Sequence, residues 1–110
     1  MANTFKNVKS RAIGVTATVI GGYTVPALTS ATVIGLSLAN ILTTAITVTV
    51  VVNDGTNDTT VVKGATIPVG SALVPFGGDQ KLVLIAGDKI KITASAASAI
   101  DAIMSVLEIS

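Results

Sequence analysis

Apolar and polar positions alternate with period two along much of this chain. In Ala45–Asn53, Ile46, Val48, Val50 and Val52 share one face, and Thr47, Thr49 and Val51 share the other. Successive side chains of a strand point to opposite sides, so this run predicts a central, half-buried strand rich in β-branched residues. The same spacing predicts strands over Ile13–Val19, over Thr32–Ala39 with Ile34, Leu36 and Leu38 facing one way, over Lys81–Leu84, and over Lys89–Ala94 with Ile90, Ile92 and Ala94 inward. The apolar segment Ile103–Ile109 predicts a closing strand inside a sheet.

Turn residues punctuate these runs. Asn53-Asp54-Gly55-Thr56-Asn57-Asp58 predicts a hairpin returning as Thr59–Lys63, because Asn, Asp and Gly tolerate positive φ. Pro68–Ser71, Gly77–Gln80 and Gly87-Asp88 predict further turns, and Pro75 confines Ala72–Phe76 to an edge or a bulge. Only Ser95–Asp101 could hold a single helical turn. Met1–Arg11 shows no sustained period and reads as an extended N-terminal arm, which leaves residues 12–110 as the folded domain. Eight or nine short strands at regular spacing predict an all-β, single antiparallel β-sandwich, jelly-roll or immunoglobulin-like, rather than a closed barrel.

Composition adds a constraint on the surface. The 110 residues suit one domain with one core. Charged residues make up 12% of them, against about 25% in ordinary soluble domains. So little charge predicts that other subunits cover part of the surface. The net charge of +1 supplies no field to draw nucleic acid or anionic lipid. Three of the seven basic residues, Lys6, Lys9 and Arg11, fall in the arm. They read either as a solvated tail or, with Phe5, as an arm that reaches a neighbour.

Two apolar stretches imitate membrane or export signals. No charge occurs between Ala12 and Asn53, but the interleaved threonines and the period-two ending of Ala31–Val52 favour strands over a membrane helix. Gly21-Gly22 interrupts the apolar run Ala12–Ile20 that could pass for a signal peptide. The expectation is a soluble chain without a targeting segment or a membrane partner.

The inventory for catalysis is sparse. With no His and no Cys, the Ser-His-Asp and Cys-His arrangements and imidazole or thiolate metal sites are excluded. Of the six carboxylates, Asp54, Asp58, Asp79, Asp88 and Asp101 fall in predicted loops or turns, where backbone geometry already accounts for them, and Glu108 falls in the closing strand. The spacing of Asp54, Thr56 and Asp58 suggests a calcium loop, but Thr59 and Ala65 stand where its Gly and Glu belong. Neither phosphate-binding glycine pattern is present. Phe5, Tyr23 and Phe76 are too few to stack bases or sugars. No catalytic residue, metal ligand or cofactor is expected. The candidate functional residues are Phe5, Lys6, Lys9 and Arg11, as an interaction surface.

The closing stretch carries a likeness. Leu84-Ile85-Ala86-Gly87-Asp88, Ile90-Lys91-Ile92, the Ser95–Ser98 loop and Val106-Leu107-Glu108-Ile109, with Thr32–Leu36, Ile67–Ser71 and Gly77–Lys81 upstream, resemble small virion structural proteins of tailed bacteriophages, including cyanophage-type ones. The resemblance implies a non-enzymatic β-sandwich present in many copies on a virion assembled in the bacterial cytoplasm. It implies a capsid decoration or cement subunit, a trimer, whose partners are itself and the major capsid protein or other virion proteins. The neck or tail is the near alternative. From a different class, a glycan or host-surface binding module would use the loops at Asp54–Asp58 and Gly77–Gln80.

Overall fold

The computed structural model describes residues 3–76 and 81–110. Among the described residues nine strands follow one another: β1 (Asn3–Ile13), β2 (Thr18–Val19), β3 (Ser30–Asn40), β4 (Ile46–Asn53), β5 (Asp58–Ile67), β6 (Ala72–Phe76), β7 (Leu82–Leu84), β8 (Lys89–Ala94) and β9 (Ile100–Ile109). They form two antiparallel sheets. Sheet I has the order β1-β9-β3-β6, with β7 on the same edge of β3 as β6; sheet II has the order β2-β8-β4-β5.

The pairing is nested. β1 pairs with β9, β2 with β8, β3 with β6 and β7, and β4 with β5. The chain is thus one long antiparallel ladder, folded at the Asn53–Asp58 turn and rolled up so that β9 meets β3 and β8 meets β4. That is the jelly-roll solution to closing a sandwich. The expected antiparallel β-sandwich is present, and of the two topologies considered the pairing of the first strand with the last selects the jelly roll.

The core lies between the sheets and follows the strand alternation. Sheet II contributes Ile46, Val48, Val50, Ile90, Ile92 and Ala94; β9 contributes Ile100, Ala102, Met104 and Val106. Each fully buried Ile, Leu or Val adds about 1.5–3 kcal/mol through apolar surface removed from water. Asn40 closes one end: its Nδ2 donates to the Thr44 and Ile67 carbonyls (2.9 and 3.0 Å) and its Oδ1 accepts from the Leu42 N–H (2.9 Å). A sheet I strand is thereby tied to the end of β5 in sheet II.

Four expectations change. The period-two reading of β3 put Ile34 inside with Leu36 and Leu38; instead the register with β9 shifts between Val33 and Gly35. The bulge turns Ala31 and Val33 inward on one side of it and Leu36 and Leu38 on the other, leaving Ile34 half-buried. The strand expected over Ile13–Val19 is broken: Ile13 ends β1, Val15 and Ala17 are exposed, and only Thr18–Val19 pair with β8 as the chain crosses between sheets. The helical turn is absent, Ser95–Ala99 being an irregular loop, and the chain instead makes a tight turn at Ile20–Gly22 with Gly21 and Gly22 at positive φ, closed by the Tyr23 N–H to the Ile20 carbonyl (2.9 Å). Asp101, expected in a loop, belongs to β9.

The segment expected as an extended N-terminal arm is extended and hydrogen-bonded, pairing with β9 from Asn3↔Ile109 to Ser10↔Ala102. It forms one edge of sheet I and buries no side chain before Ile13. The predicted turn at Gly77–Gln80 lies outside the described residues. The turns at Asn53–Asp58, Pro68–Ser71 and Gly87-Asp88 are present, the last two closed by bonds from the Ser71 N–H to the Pro68 carbonyl (3.2 Å) and from the Asp88 N–H to the Ile85 carbonyl (3.0 Å).

Candidate assembly surface

The two sheets present different outer faces. On sheet I the outward positions include Phe5, Asn7 and Lys9 of β1, Ile103, Ser105, Leu107 and Ile109 of β9, Ser30, Thr32 and Ser37 of β3, Val74 of β6 and Val83 of β7. Phe5 is 74% exposed, Val83 61%, Val74 59% and Ile103 47%. On sheet II the outward positions include Lys89, Lys91 and Thr93 of β8, Thr47, Thr49 and Val51 of β4, Thr60 and Thr66 of β5, and Val19 of β2, the two valines half-buried in one row with Lys91. None of the large exposed apolar side chains among the described residues stands on that face.

The outer face of sheet I is contoured. The β3 bulge places Gly35 beside Ser105, and these small residues leave a shallow depression walled by Val74, Phe76 and Ile103. A second depression lies between Phe5, Asn7, Ile34 and Ser105. Four strands about 4.8 Å apart and roughly 33 Å long give a face of the order of 600 Å². That approaches the ~800 Å² per partner of a standard interface. Such a face, with its carboxylates and amines at the margin, loses little on leaving water.

The four predicted interaction residues share β1 but divide by parity. Phe5 and Lys9 join the outer face, and Arg11 is exposed at the end of the strand. Lys6 points the other way, and its Nζ lies 3.3 Å from Glu108 Oε1. Glu108 is nearly buried on the inward parity of β9, and its Oε2 accepts a 2.6 Å bond from the Tyr23 hydroxyl. That bond, then the Lys6 ammonium, hold the Glu108 carboxyl below the usual glutamate range. Burial, then the carboxylate beside it, push the Tyr23 hydroxyl up.

Tyr23, Glu108 and Lys6 therefore fasten β1 to the body rather than reach outward. The sequence did signal this arrangement: Glu108 continues the inward series Ile100, Ala102, Met104, Val106. A carboxylate on a buried parity needs partners. Residues 20–22 complete the clamp. The Gly21 N–H donates to Ser10 Oγ (2.6 Å), and a side chain at Gly21, whose φ is +56°, would collide with Val8 Cγ1.

The acidic hairpin is occupied with its own geometry. Asp54 Oδ1 accepts from the N–H groups of Asn57 (2.8 Å) and Thr56 (3.0 Å), which hold its carboxyl below the ordinary aspartate range. Asn53 Nδ2 donates to Asp58 Oδ1 (2.6 Å), and Asn53 Oδ1 accepts from the Gly55 N–H (2.8 Å). This is the arrangement of a self-satisfied Asx turn. Of the other loop named for a glycan, Gly77–Gln80 lies outside the described residues. Among the described residues no cluster of three acidic, His or Cys side chains could hold a metal, and no helix is long and apolar enough to cross a membrane.

No family model matches the sequence, and no curated protein does. Two solved structures share the fold. One is a chain from Bacillus endospore appendages, described as a family of disulfide-linked pili; it is 18% identical with a TM-score of 0.58, over 99% of this chain and 87% of that one. The other comes from the acid-stable capsid of the Helicobacter pylori bacteriophage KHP30; it is 12% identical with a TM-score of 0.55, over 100% of this chain and 94% of that one. At these identities the likeness defines the class of fold, a single jelly-roll sandwich, and nothing finer.

Proposed function

We propose that this chain is a non-enzymatic structural subunit of a bacteriophage virion, a capsid decoration or cement protein that packs in many copies on the particle. The observation that carries this reading is the outer face of sheet I, where exposed Phe5, Val74, Val83 and Ile103 stand among small polar residues and whose main occupant would be the capsid shell protein. The threonine and lysine face of sheet II then looks to solvent. The phage capsid and pilus chains that share the fold belong to assembled particles, which supports a role in assembly. The pilus chain's family is disulfide-linked, whereas this chain has no Cys, so its own assembly would be noncovalent.

Copy number in the purified particle tests the reading. A decoration subunit is recovered in proportion to the shell protein when particle proteins are quantified by mass spectrometry. A small fixed number of copies would instead assign the chain to the neck or tail. Absence from the particle would overturn a virion role.

A further inference from the structure

We propose that β1 is an exchangeable strand: copies of this chain join by placing the β1 of one molecule against the β9 of another. The motivating feature is the junction at Arg11-Ala12. Pairing between β1 and β9 is regular up to Ser10↔Ala102 and resumes at Ile13↔Ile100, so two residues of β1 stand opposite Asp101 alone. Ala12 takes φ +53° there, a left-handed conformation that an L-residue with a Cβ adopts only under constraint. The Asp101 side chain supplies the constraint, its Oδ1 accepting the Ala12 N–H at 2.9 Å.

The two sides of this bulge are held differently. Beyond it, Ile13 is buried, its carbonyl accepts the Ala99 N–H (2.9 Å), and the Gly14 carbonyl accepts the Ala94 N–H (2.9 Å). Before it, β1 contributes no buried side chain and rests on the β9 ladder and the clamp at Lys6, Val8 and Ser10. The hinge can therefore open with Ile13–Gly14 still anchored. Freed at Ala12, the strand extends roughly 33 Å, enough to lie along β9 of a neighbour.

Exchange re-forms the same contacts in trans: the ladder, Lys6 to Glu108, Val8 over Gly21, and Ser10 to the Gly21 N–H. What changes is that Ala12 relaxes to ordinary extended backbone. A strained connection of this kind is the feature that drives swapping of terminal elements. The occupant of the β9 edge is thus the β1 of a second copy. The inference extends the assembly reading by naming how copies join one another, and it does not depend on which virion component the outer face of sheet I meets.

The absence of native Cys makes the test clean. Asn7 and Ser105 are register partners, at a separation a disulfide can span across an antiparallel pair. Chains carrying Asn7→Cys and chains carrying Ser105→Cys are purified separately, mixed, co-refolded at high concentration and oxidised. Exchange predicts a disulfide-linked heterodimer on non-reducing electrophoresis. Ala12→Gly, which accepts positive φ freely, should lower its yield about tenfold over two hinges. Ala12→Pro, which fixes φ near −65° and removes the N–H given to Asp101, should raise the dimer fraction in chains that fold.

The proposal is overturned if no heterodimer forms while the doubly substituted chain closes its disulfide internally at every concentration. It is equally overturned if Asn7→Cys chains link only to one another, or if Ala12→Gly leaves the heterodimer yield unchanged. The assay contains no particle. Its failure therefore leaves the capsid reading standing, and loss of capsid binding would not alter its result.

Discussion

The outer faces of the two sheets are built from the same β-rich vocabulary yet differ in what they offer a neighbour. Sheet II turns threonines and the two lysines of β8 outward around the half-buried Val19 and Val51, and those threonines and lysines remain hydrated and resist burial. Sheet I turns Phe5, Val74, Val83 and Ile103 outward, with its charges at the β1 end. Both sheets bury a similar apolar lining against each other, so the difference is not a requirement of folding. A protein needing only to fold could carry threonines on both faces; the apolar character of one points to a use outside the monomer.

The largest expected effect comes from breaking that asymmetry. Ile103→Lys combined with Val74→Lys places two charges where a partner would bury them and should weaken binding to the particle by a hundredfold or more, while the melting temperature of the free chain stays nearly constant. Titrating particles stripped of the protein with each variant measures this. The same outcome from lysines at Thr47 and Thr93 of sheet II would break the comparison.

Next in size is the tie between the sheets. Asn40→Ala removes the side chain that satisfies two carbonyls and one N–H at a nearly buried site, and should cost about 2–3 kcal/mol in urea denaturation. The clamp on β1 ranks below it. Tyr23→Phe leaves Glu108 with Lys6 alone and should cost about 1.5–2 kcal/mol, the lower end for a hydrogen bond to a charged group.

Acid titration sharpens the same point. The folded-state pKa of Glu108 is depressed, so its stabilisation is fully present above the ordinary glutamate value of about 4.3 and is lost as pH falls through the folded pKa. Glu108→Gln should flatten the acid limb of the stability profile, measured by thermal denaturation, and leave the neutral part parallel to that of the parent chain. Tyr23 acts at the other extreme. Its raised pKa means its contribution holds below the ordinary tyrosine value of about 10 and disappears only as pH rises through the folded value. The smallest effect is expected from Thr93→Val on sheet II, within about 0.5 kcal/mol in either direction.

How much of this was legible in the sequence depended on whether a strand had one dry face and one wet one. β4, β8 and β9 do, so Val48, Val50, Ile90, Ile92, Met104 and Val106 announced themselves by alternation. β1 was invisible as a strand because neither of its faces is apolar; β9 holds it through backbone bonds. The run Val15-Thr16-Ala17 alternates yet lies in a crossing between sheets, where pattern carries no information about pairing. The β3 bulge defeated a strict period-two reading, since one extra residue reverses parity for everything beyond it. The nested strand order was out of reach because it joins the first strand to the last.

The candidate surface was half legible. Phe5 and Lys9 were singled out by position and do stand on the outer face of sheet I. Lys6 was grouped with them, and only the parity of Glu108 could have shown that it turns inward. Val74, Val83 and Ile103 looked like ordinary strand residues, because one-dimensional pattern gives their alternation but not which side the opposite sheet will cover.

A reconstruction of the assembled particle, at a resolution that separates strands, tests the assignment most directly. Assembly through sheet I predicts that Ile103, Val74 and Val83 are covered by shell protein, while Lys91 and Thr49 face solvent. Density showing sheet I in solvent and the threonine and lysine face of sheet II against the shell would contradict it.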